Sequence, residues 1–260
     1  MKVVRFAGDD GPQWGIVDGA QVAVIEPHPF RSHKRTGERV DIAGLKLLAP
    51  VIPSKVVCVG RNFADHAAEL GNEIPEQAIY FLKPSSSVIG PDEPIRLPTD
   101  MAEVFSYEAE LAVVVGALMQ RVGPDEALAG VIGYTCANDV TARDLQRAEN
   151  QWFRGKGFDT FCPLGPAIET ELDLADVPIR SWVDGTLRQD GTTADMLRDI
   201  PQLLAEISQV VTLLPGDVVL TGTPAGVGAL EPGQRVRIEI GGVGVLENPV
   251  VARDAAGTNA

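Results

Sequence analysis

The sequence predicts a mixed β protein, mainly β with short helices, and three observations support this. Its 260 residues are 45% apolar, which is enough for a sizeable core. The apolar residues fall into many short segments of strand length that end at turn residues, as in "WGIVDG". Strands and helices do not alternate in a regular βαβ order, which argues against a doubly wound parallel sheet.

The first 50 residues are predicted to form a small β-rich domain. Short strands are expected in "MKVVRFA", "WGIVDG" and "AQVAVI", and Asp18-Gly19 suits a hairpin turn between the last two. The next segment, "EPHPFRSHKRTGER", is predicted to be a polar loop. Residues 51–252 then form the second, larger domain, and residues 253–260 are expected to be a frayed tail.

The second domain begins with an apolar strand in "KVVCVG". "ADHAAEL" is predicted to be a short helix that ends at Gly71, and "IYFLKPSSSVIG" to be a strand and a turn. The strand "YEAELAVVVG" is followed by a helical turn in "PDEALAG" and by a strand in "VIGYTCANDV". In "TARDLQRAEN", Thr141 stands three residues before Asp144, which predicts a variant capping box and a helix.

The remaining elements are again mostly strands. "IRSWVDGTLRQDG" predicts a hairpin with its turn at Asp184-Gly185, and "IPQLLAEISQVVTL" predicts an amphipathic helix with Pro201 in its first turn. "GDVVLTGTPAGVG" is a strand followed by a glycine-rich loop. "QRVRIEIGGVGVLENPVV" is expected to be a closing pair of strands.

Charge and cysteine content narrow the classes of function. The chain has 22 Lys and Arg against 36 Asp and Glu, a net charge of −14, so we expect no nucleic-acid partner and no membrane partner. No apolar segment approaches the ~18 residues of a membrane span. The opening "MKVVRFAGDDG" becomes polar too soon for a signal peptide, which predicts a cytoplasmic protein. Cys58, Cys136 and Cys162 form no CxxC pair and are predicted to be reduced and buried.

Two glutamates stand on one face of a predicted central strand. Glu108 and Glu110 are two residues apart, and the next residues on that face, Ala112 and Val114, are apolar. Neighbouring buried carboxylates repel each other, so either the face is solvated, one group holds a proton, or a cation binds between them. Asp139 ends the next strand and can return beside the pair. Three carboxylates suit Mg²⁺, Mn²⁺ or Ca²⁺ better than zinc.

Two pairs of residues at helical spacing are candidates for catalysis and binding. His66 and Glu69 lie three apart, and a carboxylate beside an imidazole makes a better general base; the alternative is an exposed polar pair. Arg143 and Gln146 have the same spacing on the helix after Asp139. They could hold a substrate carboxylate and oxygen, or lie on a solvated helix face.

Two glycine-rich segments leave a choice between chemistry and plain structure. Lys156 has a glycine on each side, which fits a mobile loop residue or a cation on a closing lid. In "TGTPAGVG", backbone N–H groups could receive an anion, or the loop is a tight turn without a ligand. The loop lacks the motifs of a P-loop or a dinucleotide fold, so a nucleotide is not expected.

Six motifs resemble, in sequence, order and spacing, those of the fumarylacetoacetate hydrolase family. They are "VGRNFADHAAE", "FLKPSSSVIGP", "YEAELAVVVG", "GYTCANDVTARDLQ", "GKGFDTFCPLGP" and "LTGTPAGVG". The resemblance covers about residues 54–251. It implies a β-roll or incomplete barrel with an active site at its open end, one divalent cation (typically Mg²⁺ or Mn²⁺, with Ca²⁺ able to replace it in a crystal) and a homodimer. The first 50 residues resemble the small N-terminal unit of some members.

The resemblance also implies a role for individual residues. Glu108, Glu110 and Asp139 match the metal ligands, and His66 and Glu69 match the dyad that activates water. The positions that match substrate-contacting or catalytic residues are Arg143, Gln146, Lys156 and Thr223, and Arg61 beside the dyad is a further candidate. The family includes acylpyruvate and fumarylpyruvate hydrolases, oxaloacetate decarboxylases and 2-hydroxyhepta-2,4-diene-1,7-dioate isomerases.

These parts predict chemistry on an enolate. A divalent cation can chelate a 2-oxo carboxylate or 1,3-diketone and stabilise the enolate that forms. If His66 and Glu69 activate a water that attacks the distal carbonyl, a carbon–carbon bond of an acylpyruvate-like substrate is hydrolysed, and this is the reaction we expect. Decarboxylation of oxaloacetate and isomerisation of a 2-hydroxydienoate in aromatic catabolism are the alternatives. A non-catalytic metal- or metabolite-binding scaffold is the alternative of another class.

Overall fold

The computed structural model describes residues 1–65 and 76–253. Strands dominate these residues and the helices among them are short, so the predicted mixed β class is confirmed. The strands are β1 (Lys2–Gly8), β2 (Gly11–Asp18), β3 (Gln21–Glu26), β4 (Lys34–Asp41), β5 (Leu47–Leu48), β6 (Val56–Gly60), β7 (Ile79–Lys83), β8 (Val88–Ile89), β9 (Ile95–Leu97), β10 (Phe105–Ser106), β11 (Ala109–Val115), β12 (Val131–Asn138), β13 (Thr141–Ala142), β14 (Cys162–Glu169), β15 (Pro178–Val183), β16 (Thr186–Thr192), β17 (Val218–Leu220), β18 (Arg235–Ile240) and β19 (Gly244–Ala252). The α-helices are α1 (Pro124–Ala127), α2 (Arg143–Ala148), α3 (Phe153–Lys156) and α4 (Ile200–Val210).

A twelve-stranded sheet forms the frame of the molecule. Its neighbours follow the order β4-β3-β2-β1-β14-β12-β11-β17-β6-β7, with β5 beside β1 and β8 beside β14. The sheet is mixed, because β17 runs parallel to β6 while β11 and β12 are antiparallel. Its two ends do not pair with each other, so the expected incomplete barrel is confirmed.

A second sheet of five strands, in the order β16-β15-β18-β19-β9, covers one face of the first. Leu111 and Val113 of β11 share a core with Ile179 of β15 and Ile238 of β18. The alternate residues of β11 belong to another core, so this strand is buried on both faces and is central, as predicted. The ends of β11 and β12 therefore lie deep in the molecule.

The N-terminal strands continue the large sheet. Strand β1 pairs with β14 through Lys2↔Glu169 and Val3↔Ile168. Val3 also belongs to the apolar core that contains Val56 of β6. The proposed domain boundary near residue 50 therefore crosses one continuous sheet and one shared core.

The segment predicted as a polar loop is irregular over residues 27–33 but contains a strand from Lys34, so that prediction was wrong in part. Strand β4 pairs with β3, for example through Val22↔Val40. Nearly all of its residues are exposed, because it is the outermost strand of the sheet. Val40 is the residue of β4 that packs against a core, so this strand lacks the alternating apolar pattern that marks other strands.

The predicted capping box at Thr141 was also wrong. Helix α2 begins at Arg143, and Thr141 lies in β13 instead. Thr141 Oγ1 donates to the backbone oxygen of Asp139 at 2.9 Å. Asp144 Oδ2 accepts from the backbone N–H of Glu103 at 2.8 Å. Neither contact caps the helix: the Thr141 contact is local to the turn, and the Asp144 contact joins the helix to a distant segment.

Other local predictions are confirmed. The β15–β16 hairpin turns at Asp184 and Gly185, both in the left-handed region with φ of 49° and 76°. Helix α4 has a proline in its first turn, and Asp199 caps it by accepting from the N–H of Gln202 at 2.9 Å. The three cysteines are free and buried.

The end of the chain differs in part from the predicted frayed tail. The N–H of Arg253 donates to Leu97 O at 2.8 Å, and its guanidinium donates to both carboxylate oxygens of Asp100 at 2.7 Å. Arg253 is therefore held in place, while residues 254–260 lie outside the described residues. No helix within the described ranges is long and apolar enough to cross a membrane.

Candidate active site

Three carboxylates meet where β11 begins and β12 ends. Glu108 precedes β11, Glu110 lies within it, and Asp139 follows β12; the N–H of Asp139 donates to Glu108 O at 2.9 Å. One oxygen of each carboxylate lies within 4.8 Å of the others. The residues are only 5%, 2% and 1% exposed, so the solvated interpretation of this face was wrong.

Three buried cations contact these carboxylates. Arg143 Nη2 donates to Glu108 Oε1 at 2.6 Å. Lys156 Nζ donates to Glu108 Oε2 at 2.8 Å and to Asp139 Oδ2 at 2.7 Å. Lys83 Nζ lies 2.7 Å from Asp139 Oδ1. With every group ionised, the three positive and three negative charges of this cluster balance.

Lys156 is neither a mobile loop residue nor a cation on a lid, so both interpretations from the sequence were wrong. It ends α3 and is 2% exposed. The neighbouring Gly155 allows close packing: a Cβ there would lie 2.9 Å from the backbone nitrogen of Gln146 in α2. Burial disfavours the charged ammonium, but the charges of Asp139 and Glu108 outweigh burial and raise the pKa of Lys156.

The carboxylate of Glu110 depends on the glycine-rich loop. Its Oε2 accepts from the N–H of Gly222 at 2.7 Å. Burial first, and then the charges of Asp139 and Glu108, raise the pKa of Glu110 well above its usual value. A backbone N–H of the loop therefore does hold an acidic group, and that group is a side chain of the protein.

The donor set fits a hard divalent cation. All three candidate ligands are carboxylates, and the buried Asp139 Oδ1 accepts no directed hydrogen bond, so a lone pair is available there beside the ion-pair contact with Lys83. Thiolates do not compete, because burial and the nearby Asp139 raise the pKa of Cys58 well above its usual value. Burial likewise raises the pKa of Cys162 to about 12. Oxygen-only ligation is typical of Mg²⁺, Mn²⁺ and Ca²⁺.

The carboxylates line a cavity of about 540 Å³. Helix α2 presents Arg143, Gln146 and Arg147 to this cavity. These side chains share one face of the helix, because Gln146 and Arg147 follow Arg143 by three and four residues. Arg143 Nη1 donates to Gln146 Oε1 at 2.7 Å. The amide nitrogen of Gln146 makes no hydrogen bond within the described parts of the chain, which leaves it to donate to a bound molecule.

The other candidates occupy different places. Arg61 lines the cavity and has a left-handed backbone, with φ of 58°. Thr223 also lines it, but its hydroxyl donates to Ala109 O at 2.8 Å and accepts from Gln189 Nε2 at 2.7 Å. Those bonds hold the glycine-rich loop. The predicted dyad, His66 and Glu69, lies outside the described residues.

Sequence reasoning missed three residues of this site. Lys83 was overlooked although a lysine that ends the apolar strand "IYFLK" is an available signal. Arg147 could have been found as the i+4 neighbour of Arg143. Gln189 had no signal, because it belongs to the largely polar strand "TLRQDGT" and is buried by tertiary contacts, among them its hydrogen bond to Thr223.

Comparisons with known proteins point to one family. A family model described as "Fumarylacetoacetate (FAA) hydrolase C-terminal" matches residues 55–251, and one described as "Rv2993c-like, N-terminal" matches residues 1–50. Protein Rv2993c of Mycobacterium tuberculosis is 45% identical over 97% of this chain and 99% of its own. The mitochondrial oxaloacetate tautomerase fahd2 of Xenopus laevis is 45% identical over 80% of this chain and 69% of its own.

Solved structures agree over nearly the whole chain. The 2-hydroxyhepta-2,4-diene-1,7-dioate isomerase of Mycobacterium marinum is 42% identical with a TM-score of 0.91, covering 98% of this chain and 100% of the other. The maleylpyruvate hydrolase of Sphingobium sp. SYK-6, solved in complex with manganese (II) ion and pyruvate, is 31% identical with a TM-score of 0.81, covering 98% and 100%. Chemistry thus varies among proteins that share this fold.

Proposed function

The chain belongs to the fumarylacetoacetate hydrolase family, and we propose that it is a hydrolase of acylpyruvate-like acids that works through an enolate. The observation that carries the proposal is the buried cluster of Glu108, Glu110 and Asp139 with Arg143 and Lys156 at the wall of a cavity. Such a cluster can hold a divalent cation and a negatively charged oxygen of a substrate side by side.

Glu108, Glu110 and Asp139 are the residues that would hold Mg²⁺ or Mn²⁺. The oxygen-only ligands and the neutral thiols support this choice over zinc. The Sphingobium relative is described with manganese and pyruvate, which supports both the metal and a 2-oxo acid. When bound, the cation supplies Lewis acidity that lowers the energy of negative charge on a substrate oxygen.

Arg143 and Lys156 supply fixed positive charge. Both are buried and both are held by Glu108, so they need little reorganisation when negative charge develops on the substrate. Gln146 offers its amide N–H groups to a substrate oxygen. Arg61 and Arg147, which also line the cavity, would contact a second carboxylate of a dicarboxylic substrate.

The proposed reaction is hydrolysis because the sequence retains both His66 and Glu69. In this scheme the imidazole takes a proton from water, and the hydroxide oxygen adds to the distal carbonyl carbon. The bond from that carbon to the neighbouring CH₂ carbon then breaks, and its electron pair becomes the enolate of the 2-oxo acid. Protonation of the enolate carbon completes the reaction and releases a carboxylic acid and a 2-oxo acid.

A second candidate is proton transfer alone, as in a keto–enol tautomerase or a dienoate isomerase. The names of two similar proteins favour it: an oxaloacetate tautomerase at 45% identity and a dienedioate isomerase at 42%. Both reactions use an enolate or dienolate of a 2-oxo acid, so the cations at the cavity would serve them equally. Decarboxylation of oxaloacetate would reach the same enolate by loss of CO₂. For any of these reactions we propose that the enzyme is a homodimer.

The test is a substrate panel with product identification. Purified protein with Mg²⁺ or Mn²⁺ is assayed against acetylpyruvate, fumarylpyruvate and oxaloacetate, and the products are identified by NMR. We expect pyruvate and the matching carboxylic acid from an acylpyruvate, and at least about a hundredfold lower rate with Asp139→Asn. Turnover of oxaloacetate without turnover of either acylpyruvate would contradict the hydrolase proposal. Its product would show whether tautomerisation or decarboxylation replaces it.

A no-turnover result with tight metal binding would support the non-catalytic scaffold. A scaffold that binds only metal does not need a cation placed for developing negative charge, so Lys156→Met should then not weaken metal binding. The enzyme proposal predicts the opposite, a loss of turnover in Lys156→Met with the fold retained.

A further inference from the structure

Lys83 is a buried cation whose place in the structure needs an explanation. It ends β7, where it pairs with Val56 of β6, and its side chain is fully buried. A buried ammonium is costly unless acceptors surround it. The acceptors around Lys83 Nζ therefore show which parts of the structure this side chain fixes in place.

Among the described residues, the acceptors of Lys83 belong to the site or to the turn beside it. Its Nζ lies 2.7 Å from Asp139 Oδ1 and donates to the backbone oxygen of Val140 at 3.1 Å. It also donates to the backbone oxygen of Lys156, the last residue of α3. Two contacts therefore hold the turn after β12 that carries Asp139, and the third holds the helix end that carries the Lys156 ammonium.

The two oxygens of Asp139 are fixed from two sides. Lys156 Nζ donates to Oδ2 at 2.7 Å, while Lys83 Nζ lies beside Oδ1. Two contacts on different oxygens fix the rotation of the carboxylate plane, which one contact cannot do. Because Lys83 also binds the backbone of Lys156, it ties the carboxylate and its second cation together.

We propose that Lys83 is a positioning residue that orients Asp139 as a metal ligand and places the Lys156 ammonium beside it. Lys83 does not itself line the cavity, whereas Asp139 and Lys156 do, so it acts through these two residues. The role of Lys83 rests on the proposed function of Asp139. Groups that orient metal ligands typically change metal affinity or activity 10- to 100-fold when they are removed.

The test compares Lys83→Met with a matched control, Lys55→Met. Lys55 also pairs through its Nζ with a buried carboxylate, that of Asp217, but neither residue lines the cavity. Mn²⁺ affinity is measured by calorimetry without substrate, well below the melting temperature of each variant. We expect Lys83→Met to bind Mn²⁺ at least about tenfold more weakly, and Lys55→Met to stay within about twofold of wild type. Both variants should melt at lower temperature.

The sign of the change separates positioning from simple charge balance. Loss of a positive charge by itself would attract Mn²⁺ more strongly, so unchanged or tighter binding in Lys83→Met would overturn the proposal. Lys83→Gln keeps N–H donors without the charge, and we expect its affinity to lie between wild type and Lys83→Met. This second variant also provides the comparison if Lys83→Met does not fold.

Failure of the proposed function would look different. If wild-type protein bound no Mn²⁺, the assignment of the metal ligands would be wrong, and so would the proposed role of Lys83. If wild type and both Lys83 variants bound Mn²⁺ equally well, only the role of Lys83 would fall. With an identified substrate and saturating Mn²⁺, kcat should fall in Lys83→Met while KM stays within about threefold, since Arg143 and Gln146 still line the cavity and can contact the substrate.

Discussion

Glu108 is the residue around which the charges of the site are arranged. Its two oxygens contact Arg143 and Lys156, so its negative charge is matched before any metal binds. Glu110 differs, because its Oε2 accepts from the N–H of Gly222 rather than from a cation. Burial and the charges of two neighbouring carboxylates raise the pKa of Glu110. At the residue scale, Glu110 is therefore the carboxylate that gains most from a divalent cation.

Glu110→Gln tests this difference, since the amide keeps an oxygen for the N–H of Gly222. A raised pKa means that the fold favours the protonated carboxyl, so the stability from this group is lost as pH rises from about 4.5 through the raised pKa. We therefore expect the metal-free variant to be at least as stable as metal-free wild type at pH 7.5, with the difference absent in acid. Thermal unfolding with chelator measures it.

With metal bound, wild type should become more stable than Glu110→Gln. Mn²⁺ is expected to raise the melting temperature of wild type and to have a much smaller effect on Glu110→Gln, because the variant lacks one anionic ligand. Glu126→Gln, an exposed glutamate in α1, is the control and should respond like wild type. Equal stabilisation of wild type and Glu110→Gln by Mn²⁺ would remove Glu110 from the ligand set.

At the scale of elements, short segments from distant parts of the chain hold the site together. Helix α2 supplies the cavity face, α3 supplies Lys156, and the β15–β16 hairpin holds the glycine-rich loop through Gln189. Gln189 accepts from the N–H of Ala109 at 3.0 Å and from Ser181 Oγ at 2.9 Å. It donates to Thr223 Oγ1 at 2.7 Å and to Pro224 O at 2.8 Å.

Gln189→Leu is expected to lower the melting temperature by about 5–10 °C. The change leaves buried partners of four hydrogen bonds unsatisfied, which we expect to cost about 2–4 kcal/mol. Thermal unfolding followed by circular dichroism measures the effect. Gln202→Leu in α4 is the control, because that side chain is exposed and should change the melting temperature little. An equal effect of the two changes would mean that Gln189 does not anchor the loop.

At the scale of the whole molecule, one sheet connects the N-terminal strands to the strands that carry the site. Strands β1 to β4 extend the sheet beyond β14, and β14 is the neighbour of β12, whose end carries Asp139. Residues of β1, β2 and β3 share an apolar core with β6, β11 and β17. The N-terminal unit therefore acts as part of the framework of the site.

Removal of residues 1–50 should destabilise the remainder. The protein that begins at residue 51 would expose the edge of β14 and part of the shared apolar core. We expect it to be largely insoluble, or to melt at least 10 °C below the full chain. Light scattering and thermal unfolding test this. A monodisperse fragment with an unchanged melting temperature would show that the remainder folds independently of the first 50 residues.

Much of the secondary structure follows from local sequence. The Asp184-Gly185 turn, the proline-started helix α4 and the buried central strand β11 were predicted because turn chemistry and apolar patterning act over a few residues. Strand β4 was missed because its partner, not its own side chains, makes it a strand. Thr141 was misassigned because its hydroxyl is used by the turn after Asp139.

The sequence by itself determined the β-rich class and the carboxylates of the candidate site, and its motifs indicated the family. Spacing placed Glu108 and Glu110 on one face because strand geometry has a fixed period of two. Only the tertiary structure decided that Lys156 is buried between Glu108 and Asp139, and that Lys83 and Gln189 support the site. These contacts join residues far apart in the chain, and their energies depend on burial, which no local pattern specifies.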